Sequence, residues 1–448
     1  MLSVLRNRTF RRLFTAQVVA LLGTGLATVA LALLAHDLAG ADASAVLGTA
    51  LALKMGAYVA VAPLAGALAA RLPRRTLLVG ADLIRAAAAL ALPVVSEAWH
   101  VYALVLLLQA ASATFTPAFQ ATVPEVLPGE RAYTEALSLS RLAYDLESLV
   151  SPVMAAALLA LVPYSWLFAG TGAGFLASAL LVLSTALPKH PEPEPAAGPG
   201  GRPASRVVTG ARLLLATPRL RALLALDLAV AAAGALVLTG TVTLVRTALE
   251  RPAGDVALAL GAYGAGSMGV ALLLPRLLDR RDERRVMLAG AFALPGVLGA
   301  LALTVGVGEG AAAWAGLLGA WLLAGAATSA VLTPGGRVLR RSADPADLPA
   351  AFAARFSLSH ACWLFTYPLA GWLVARTGPV PPALLLGALA LLAALAAARL
   401  WPRTDPAALP HTHPELPADH PHLAGAVGPH AHVFHIDALH HRWPAATS

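Results

Sequence analysis

Charge is scarce in this sequence. Only 12% of its 448 residues are Asp, Glu, Lys or Arg, against about a quarter in ordinary soluble domains. With 58% hydrophobic residues and a mean hydropathy of +0.71, one or two soluble cores could not hide the apolar surface. Lysine is nearly absent, Lys54 and Lys189 being the only two, and Cys362 is the single cysteine. A disulfide framework is therefore excluded. The chain also lacks a metal-protease helix motif, a phosphate-cradling glycine loop and a nucleophile elbow, so nothing supports a membrane enzyme or a bound cofactor.

What the chain has instead is long apolar runs. Twelve segments match the roughly 20 helical residues that span hydrocarbon: 14–35, 45–69, 76–96, 99–122, 134–162, 164–187, 220–245, 255–278, 286–307, 312–334, 350–375 and 380–400. Gly and Pro recur inside them, which packed membrane helices tolerate. No small-residue cleavage site follows the first run at signal-peptide spacing, so it reads as a retained anchor.

The net charge of +8 does not point to nucleic acid, because the cations alternate by loop. Twenty-four Lys and Arg fall on one side of the twelve runs and three on the other. Such bias orients the protein with its cationic loops and both termini in the cytoplasm. Trp99 with Tyr102, and Tyr164 with Trp166, fall at the opposite interface, where amphipathic rings settle. The fold class expected is an all-α integral membrane protein of the plasma membrane, with twelve transmembrane helices.

Residues 188–205 are rich in Pro, Gly and charge, and 188–218 reads as a flexible cytoplasmic linker between six-helix halves at 1–187 and 219–403. The halves echo each other. Arg71 and Arg280, Pro117 and Pro334, and Ser138 and Ser357 recur in order at nearly constant offset. Parallel six-helix repeats are one transporter plan, with substrate bound between them.

With these features the chain resembles the major facilitator superfamily, and within it the drug-efflux branch that includes macrolide exporters. The best marker is the loop after the second run, Gly66-Ala67-Leu68-Ala69-Ala70-Arg71-Leu72-Pro73-Arg74-Arg75. It keeps the Gly and three Arg of the family pattern. Ala70 replaces an Asp that in the family latches onto a helix N-terminus of the other half, a contact favoured by the helix dipole. The equivalent loop of the second half keeps Asp279 and Arg280, followed by Arg284 and Arg285. The family's antiporters also carry a Gly-rich stretch around a Gly-Pro in the fifth span. Here small residues remain around Pro152, with Pro368 and Gly371 as counterparts in the eleventh. The resemblance implies a two-half pseudo-symmetric fold and alternating-access transport of a small molecule by a monomer.

Ionic residues inside the runs are the candidates for function, since a mid-membrane charge costs about 2.5–3.5 kcal/mol. Arg141 and Asp145 share a helix face, four apart. Glu147 points about 200° away from Asp145, near mid-membrane. Glu147, Asp145 and Asp227 are the proton-coupling candidates. Lys54, Arg141, Gln17 and Gln109 are candidates for the substrate cavity, Lys54 as counter-ion to Glu147 or to an anionic substrate. Asp82 and Arg85 read as a local pair supporting the Arg71–Arg75 loop.

The segment 404–448 differs from the rest. It holds nine of the thirteen histidines: His411, His413, His420, His422, His430, His432, His435, His440 and His441. The first six form three H-x-H pairs, a candidate set for Zn, Ni or Cu. With Pro and Gly throughout, the tail reads as disordered. It is similar to His-rich tails of actinobacterial members of the superfamily. Two functions follow: proton-coupled efflux of small amphipathic molecules or, alternatively, a metal exporter or metal-responsive transporter using the tail. The expected partners are a small-molecule substrate, protons and the lipid bilayer, with no nucleic acid.

Overall fold

A computed structural model describes residues 2–39, 43–68, 72–187, 203–252, 254–307, 310–406, 408–413, 416, 421–423, 429–437, 439–440 and 442–444. The first half holds α1 (Arg8–Ala39), α2 (Ala43–Leu68), α3 (Arg74–Ala91), α4 (Ala98–Val126), α5 (Glu130–Leu159) and α6 (Ser165–Leu183). After a helix not expected from the sequence, α7 (Pro203–Ala216), come α8 (Pro218–Thr243), α9 (Gly254–Leu278), α10 (Glu283–Val307) and α11 (Gly310–Leu332). The chain continues through a short α12 (Gly335–Arg340) to α13 (Leu348–Thr377) and α14 (Val380–Leu400). Each of the twelve apolar runs lies on one long helix. By length and composition, nine stretches of the described residues are apolar enough to cross a membrane, and the chain is a multi-pass membrane protein.

Each half has its own interior. Leu226, Val230, Leu298, Leu317, Trp321 and Leu386 lie in the core of the second half. In the first, Phe10, Leu13, Leu78, Phe119 and Tyr133 pack at one end, and Leu26, Ala30, Leu167 and Phe168 at the other. Large hydrophobics such as Leu180, Leu303, Phe365 and Leu392 stay exposed on the outside, as hydrocarbon rather than water permits. Trp99 and Trp166 are exposed near the arginine-poor end.

Small residues bring the helices together. Gly266 on α9 and Gly325 on α11 meet reciprocally: a Cβ on the first would overlap the Leu322 carbonyl, and on the second the Tyr263 carbonyl. On α5, Ser151 packs into the gap left by Gly25 on α1. Pro152 has a helical backbone, but its side chain lies outside the described residues. The counterpart in α13 behaves otherwise. Pro368 is exposed and a Cβ on Gly371 would meet open space. The close packing expected at those two residues is not made, because that face of α13 has no helix against it.

Parts of two segments expected to be irregular have regular structure. Within the linker, residues 188–202 lie outside the described residues, whereas 203–216 form α7, which lies along α13 and α2. Leu213 and Leu214 are buried, and Gly210 sits against the Ala350 carbonyl. In the tail, β1 (Ala408–His411) and β2 (His430–Val433) pair antiparallel, with His411 opposite His430. Leu423, Phe434 and Ile436 of the tail are buried. Apolar anchors between the histidines overcome the Pro and Gly content that suggested disorder.

Candidate functional site

The ionic side chains placed within the spans sort into two kinds. Three of the four acids are pinned by arginine. Asp82 pairs with Arg85 one turn on and accepts a hydrogen bond from the Ser178 hydroxyl at 2.7 Å. Asp145 pairs with Arg141 at 2.9 Å. Asp227, 2% exposed, receives both Nη2 and Nε of Arg355 at 3.1 and 3.3 Å. Arg355 comes from α13, 128 residues further along the chain.

Glu147 is the exception. Half-buried on α5, it lies beside Gly25 of α1 with no hydrogen bond or ion pair among the described residues. The cation whose field reaches it is Lys54 of α2. Among the described residues the ammonium of Lys54 makes no ion pair, and it lies 5.8 Å from the ring of Tyr58, one turn along. Asp145 and Glu147 thus face different partners, Asp145 and Arg141 meeting Ser267 on α9, where the Arg141 Nε donates to the Ser267 hydroxyl at 3.0 Å.

Gln17 and Gln109 both face polar groups inside the first half. The Gln17 carbonyl accepts from the Ser140 hydroxyl at 3.1 Å and, with Thr24, Arg85, Phe115, Phe119 and Tyr144, lines a small cleft of about 30 Å³. Gln109 accepts from the Tyr58 hydroxyl at 2.9 Å. The Tyr58 ring meets Phe356 and His360 of the other half at 5.1 and 4.8 Å. Arg85 is sandwiched between Phe115 and Phe175, 4.3 and 4.5 Å from their ring centres. The pair Asp82–Arg85 therefore does not support the loop after α2. That loop is held separately, by Arg74 on Glu125 at 3.0 Å and Arg75 on the Thr185 carbonyl at 2.6 Å. Arg85 stands eleven residues past the start of α3, deep enough to reach the cleft.

At the arginine-rich end the two halves are clasped. Arg337 of α12 reaches Glu130 and Thr134 of α5 and Glu283 of its own half at 2.9 Å. Arg340 donates to the Pro128 carbonyl and covers the Tyr133 ring. Asp279 lies 3.6 Å from Arg131, in the first turn of α5. Deeper in, the Ser357 hydroxyl donates to the Val59 carbonyl at 2.5 Å. Among the described residues, every polar or ring contact between the halves falls between this end and the bundle's middle. Of the other loop residues, Arg284 donates to the Trp401 and Ala398 carbonyls at 3.3 Å, Arg285 pairs with Asp282 at 3.2 Å and Arg280 is exposed. Arg71 and the surroundings of Gly66 lie outside the described residues.

The tail histidines converge on one another. Ligand atoms of His411, His413, His422 and His440 lie within 4.8 Å of one another, and so do those of His411, His422, His430 and His432. Burial and crowding by neighbouring imidazoles push the His422 ring down to about 4. Burial would raise the Asp437 carboxyl, but hydrogen bonds from His440 outweigh it and hold that carboxyl below its usual range. His420 lies outside the described residues, and His440, not in the expected ligand set, joins the cluster. Arg355, Tyr58, Tyr144 and Arg337 went unmarked in the sequence, because each acquires its meaning from a partner distant along the chain.

Two matched halves, paired buried ions and a clasp at one end define a transporter rather than an enzyme. The sequence profile of the Major Facilitator Superfamily matches residues 13–315 and 229–435, and the chain belongs to that superfamily. No curated protein sequence matches it. Among solved structures, the human organic anion transporter MFSD10 (TETRAN) superposes with a TM-score of 0.70 at 16% identity, over 87% of this chain and 99% of that one. The E. coli fucose:proton symporter FucP gives 0.67 at 16%, over 88% and 98%. A bacterial homologue of the iron transporter ferroportin, in an outward-facing state, gives 0.67 at 15%, over 88% and 99%. At these identities the likeness is one of fold.

Proposed function

We propose that this chain exports small amphipathic molecules across the plasma membrane in exchange for protons, as a monomer with both termini cytoplasmic. The observation that carries the reading is Glu147. An acid in an arginine ion pair gives up that contact when it takes a proton, whereas a buried acid with only a distant ammonium has no such contact to lose. Glu147 is the proton carrier and Lys54 its electrostatic counterweight, returning charge balance when the proton leaves. Asp145 and Asp227 are then structural members of ion pairs. The cleft lined by Gln17, Arg85, Phe115 and Tyr144 mixes aromatic faces with polar groups, which suits an amphipathic substrate. With the arginine-rich end in the cytoplasm, the clasp around Arg337 closes the inner side, and the state described is the one facing outward.

Purified protein in liposomes loaded with a pH-sensitive dye tests this. Amphipathic cations and macrolides added under an imposed pH gradient should each release protons when they are transported. Substrate movement at a rate indifferent to the gradient and to a protonophore would overturn proton coupling.

The second reading, metal export, meets one observation. Among the described residues, the only groups of three or more metal-ligating side chains are in the tail.

A further inference from the structure

We infer that the tail histidines form a metal centre for one divalent first-row transition ion, ligated by His411, His413, His422 and His440. The inference starts from tautomers. A backbone carbonyl only accepts, so the His411 Nδ1, 2.9 Å from the Leu409 carbonyl, carries the proton. His440 Nδ1 lies 2.9 Å from Asp437 Oδ1. That oxygen also accepts the backbone N–H groups of Leu439 and His440, so it acts as a carboxylate and His440 Nδ1 donates. In a neutral imidazole with Nδ1 protonated, Nε2 offers only a lone pair.

Those lone pairs point at each other. His440 Nε2 lies 3.0 Å from His411 Nε2 and 3.1 Å from His413 Nε2. For His411 and His440, two acceptors at 3.0 Å cannot hydrogen-bond, and they repel unless a cation sits between them. Four imidazoles around Zn at about 2.0–2.1 Å in a tetrahedron bring their nitrogens to comparable separations. Asp437 supplies the carboxylate that fixes tautomer and ring orientation in metal-bound histidines. A second feature points the same way. Both ring nitrogens of His430 are buried and without a hydrogen-bond partner, although the ring is 4.4 Å from that of His411. His430 and His432 adjoin the same cluster: the His432 Nδ1 turns to the Val433 carbonyl at 2.8 Å and its Nε2 lies 3.2 Å from His422 Nε2.

The centre is tied to the transporter. Asp405, at the root of the tail, bridges Arg219 at 2.9 Å and Arg341 at 2.6 Å. Arg219 also covers the Trp443 ring at 5.0 Å and reaches the Ser342 hydroxyl at 2.6 Å. Arg341 and Ser342 directly follow α12, which carries the clasp residues Arg337 and Arg340.

The full-length protein, stripped with chelator in detergent, is titrated with Co²⁺ and with Zn²⁺. One equivalent should bind, and Co²⁺ should give the intense visible bands of a tetrahedral nitrogen site, displaced by Zn²⁺. His413→Ala/His440→Ala should weaken binding at least 100-fold, and Asp437→Asn about 10–100-fold. His360→Ala, outside the tail, should leave it unchanged. Folding of each variant is checked by its thermal unfolding and monodispersity. Weak octahedral Co²⁺ spectra, or equal affinity in wild type and the double variant, would overturn the assignment. Because binding is read without transport, its outcome is independent of proton coupling.

Discussion

At the scale of single residues, arginine decides which buried acids have an ion-pair partner. Asp227 and Arg355 share a bidentate contact in a nearly sealed site. Removing one partner of such a pair leaves a stranded charge and costs about 3–5 kcal/mol. Asp227→Asn should therefore lower the thermal unfolding midpoint sharply, and Asp227→Asn/Arg355→Gln should recover part of the loss. A double variant less stable than either single one would show that the pair is not a unit. The sequence made Asp227 conspicuous, as an acid in an apolar run, but not its partner. Arg355 stands near the start of the eleventh run, where a charge reads as interfacial, and only the bundle brings it to α8. Glu147 was legible for the opposite reason: its distance round the helix from Asp145 follows from 100° per residue alone.

At the scale of helices, backbone approach sets the packing, since lipid tails leave little hydrophobic drive between helices. At the α9–α11 crossing, Gly266→Ala forces its new methyl into a carbonyl. Overpacking of this kind costs about 1–3 kcal/mol, so the unfolding midpoint should fall by several degrees. Gly269→Ala, on the same helix but facing open space, should leave it unchanged. The clasp is tested in a Cys362→Ser background with Leu137→Cys, a position packed near Gly336. Labelling there by a membrane-impermeant maleimide should be slow, and several-fold faster once Arg337→Ala removes the contacts to Glu130 and Thr134. An unchanged rate would mean that Arg337 does not hold the inner end shut. The twelve spans were readable because hydrocarbon demands some twenty apolar residues in each. The helix α7 and the tail hairpin were not. One is a surface helix inside a Pro-rich stretch. The other shows strand character only through its H-x-H spacing, which puts alternate side chains on one face of a strand.

At the scale of the whole molecule, two six-helix halves meet along a polar seam, clasped at the arginine-rich end. Their duplication was visible in recurring loop residues, and the family profile and the fold agree with it. Sequence repeats do not show which end is closed, because closure depends on Arg337, Arg340 and Asp279 reaching across to residues of α5. In the proposed proton exchange one group carries the proton between the two sides, and the proposal assigns that role to Glu147. Glu147→Gln in liposomes tests this most directly, comparing substrate export driven by a pH gradient with substrate-for-substrate exchange at equal pH. Gradient-driven export should be lost while exchange persists. Export that still responds fully to the gradient in Glu147→Gln would contradict the account.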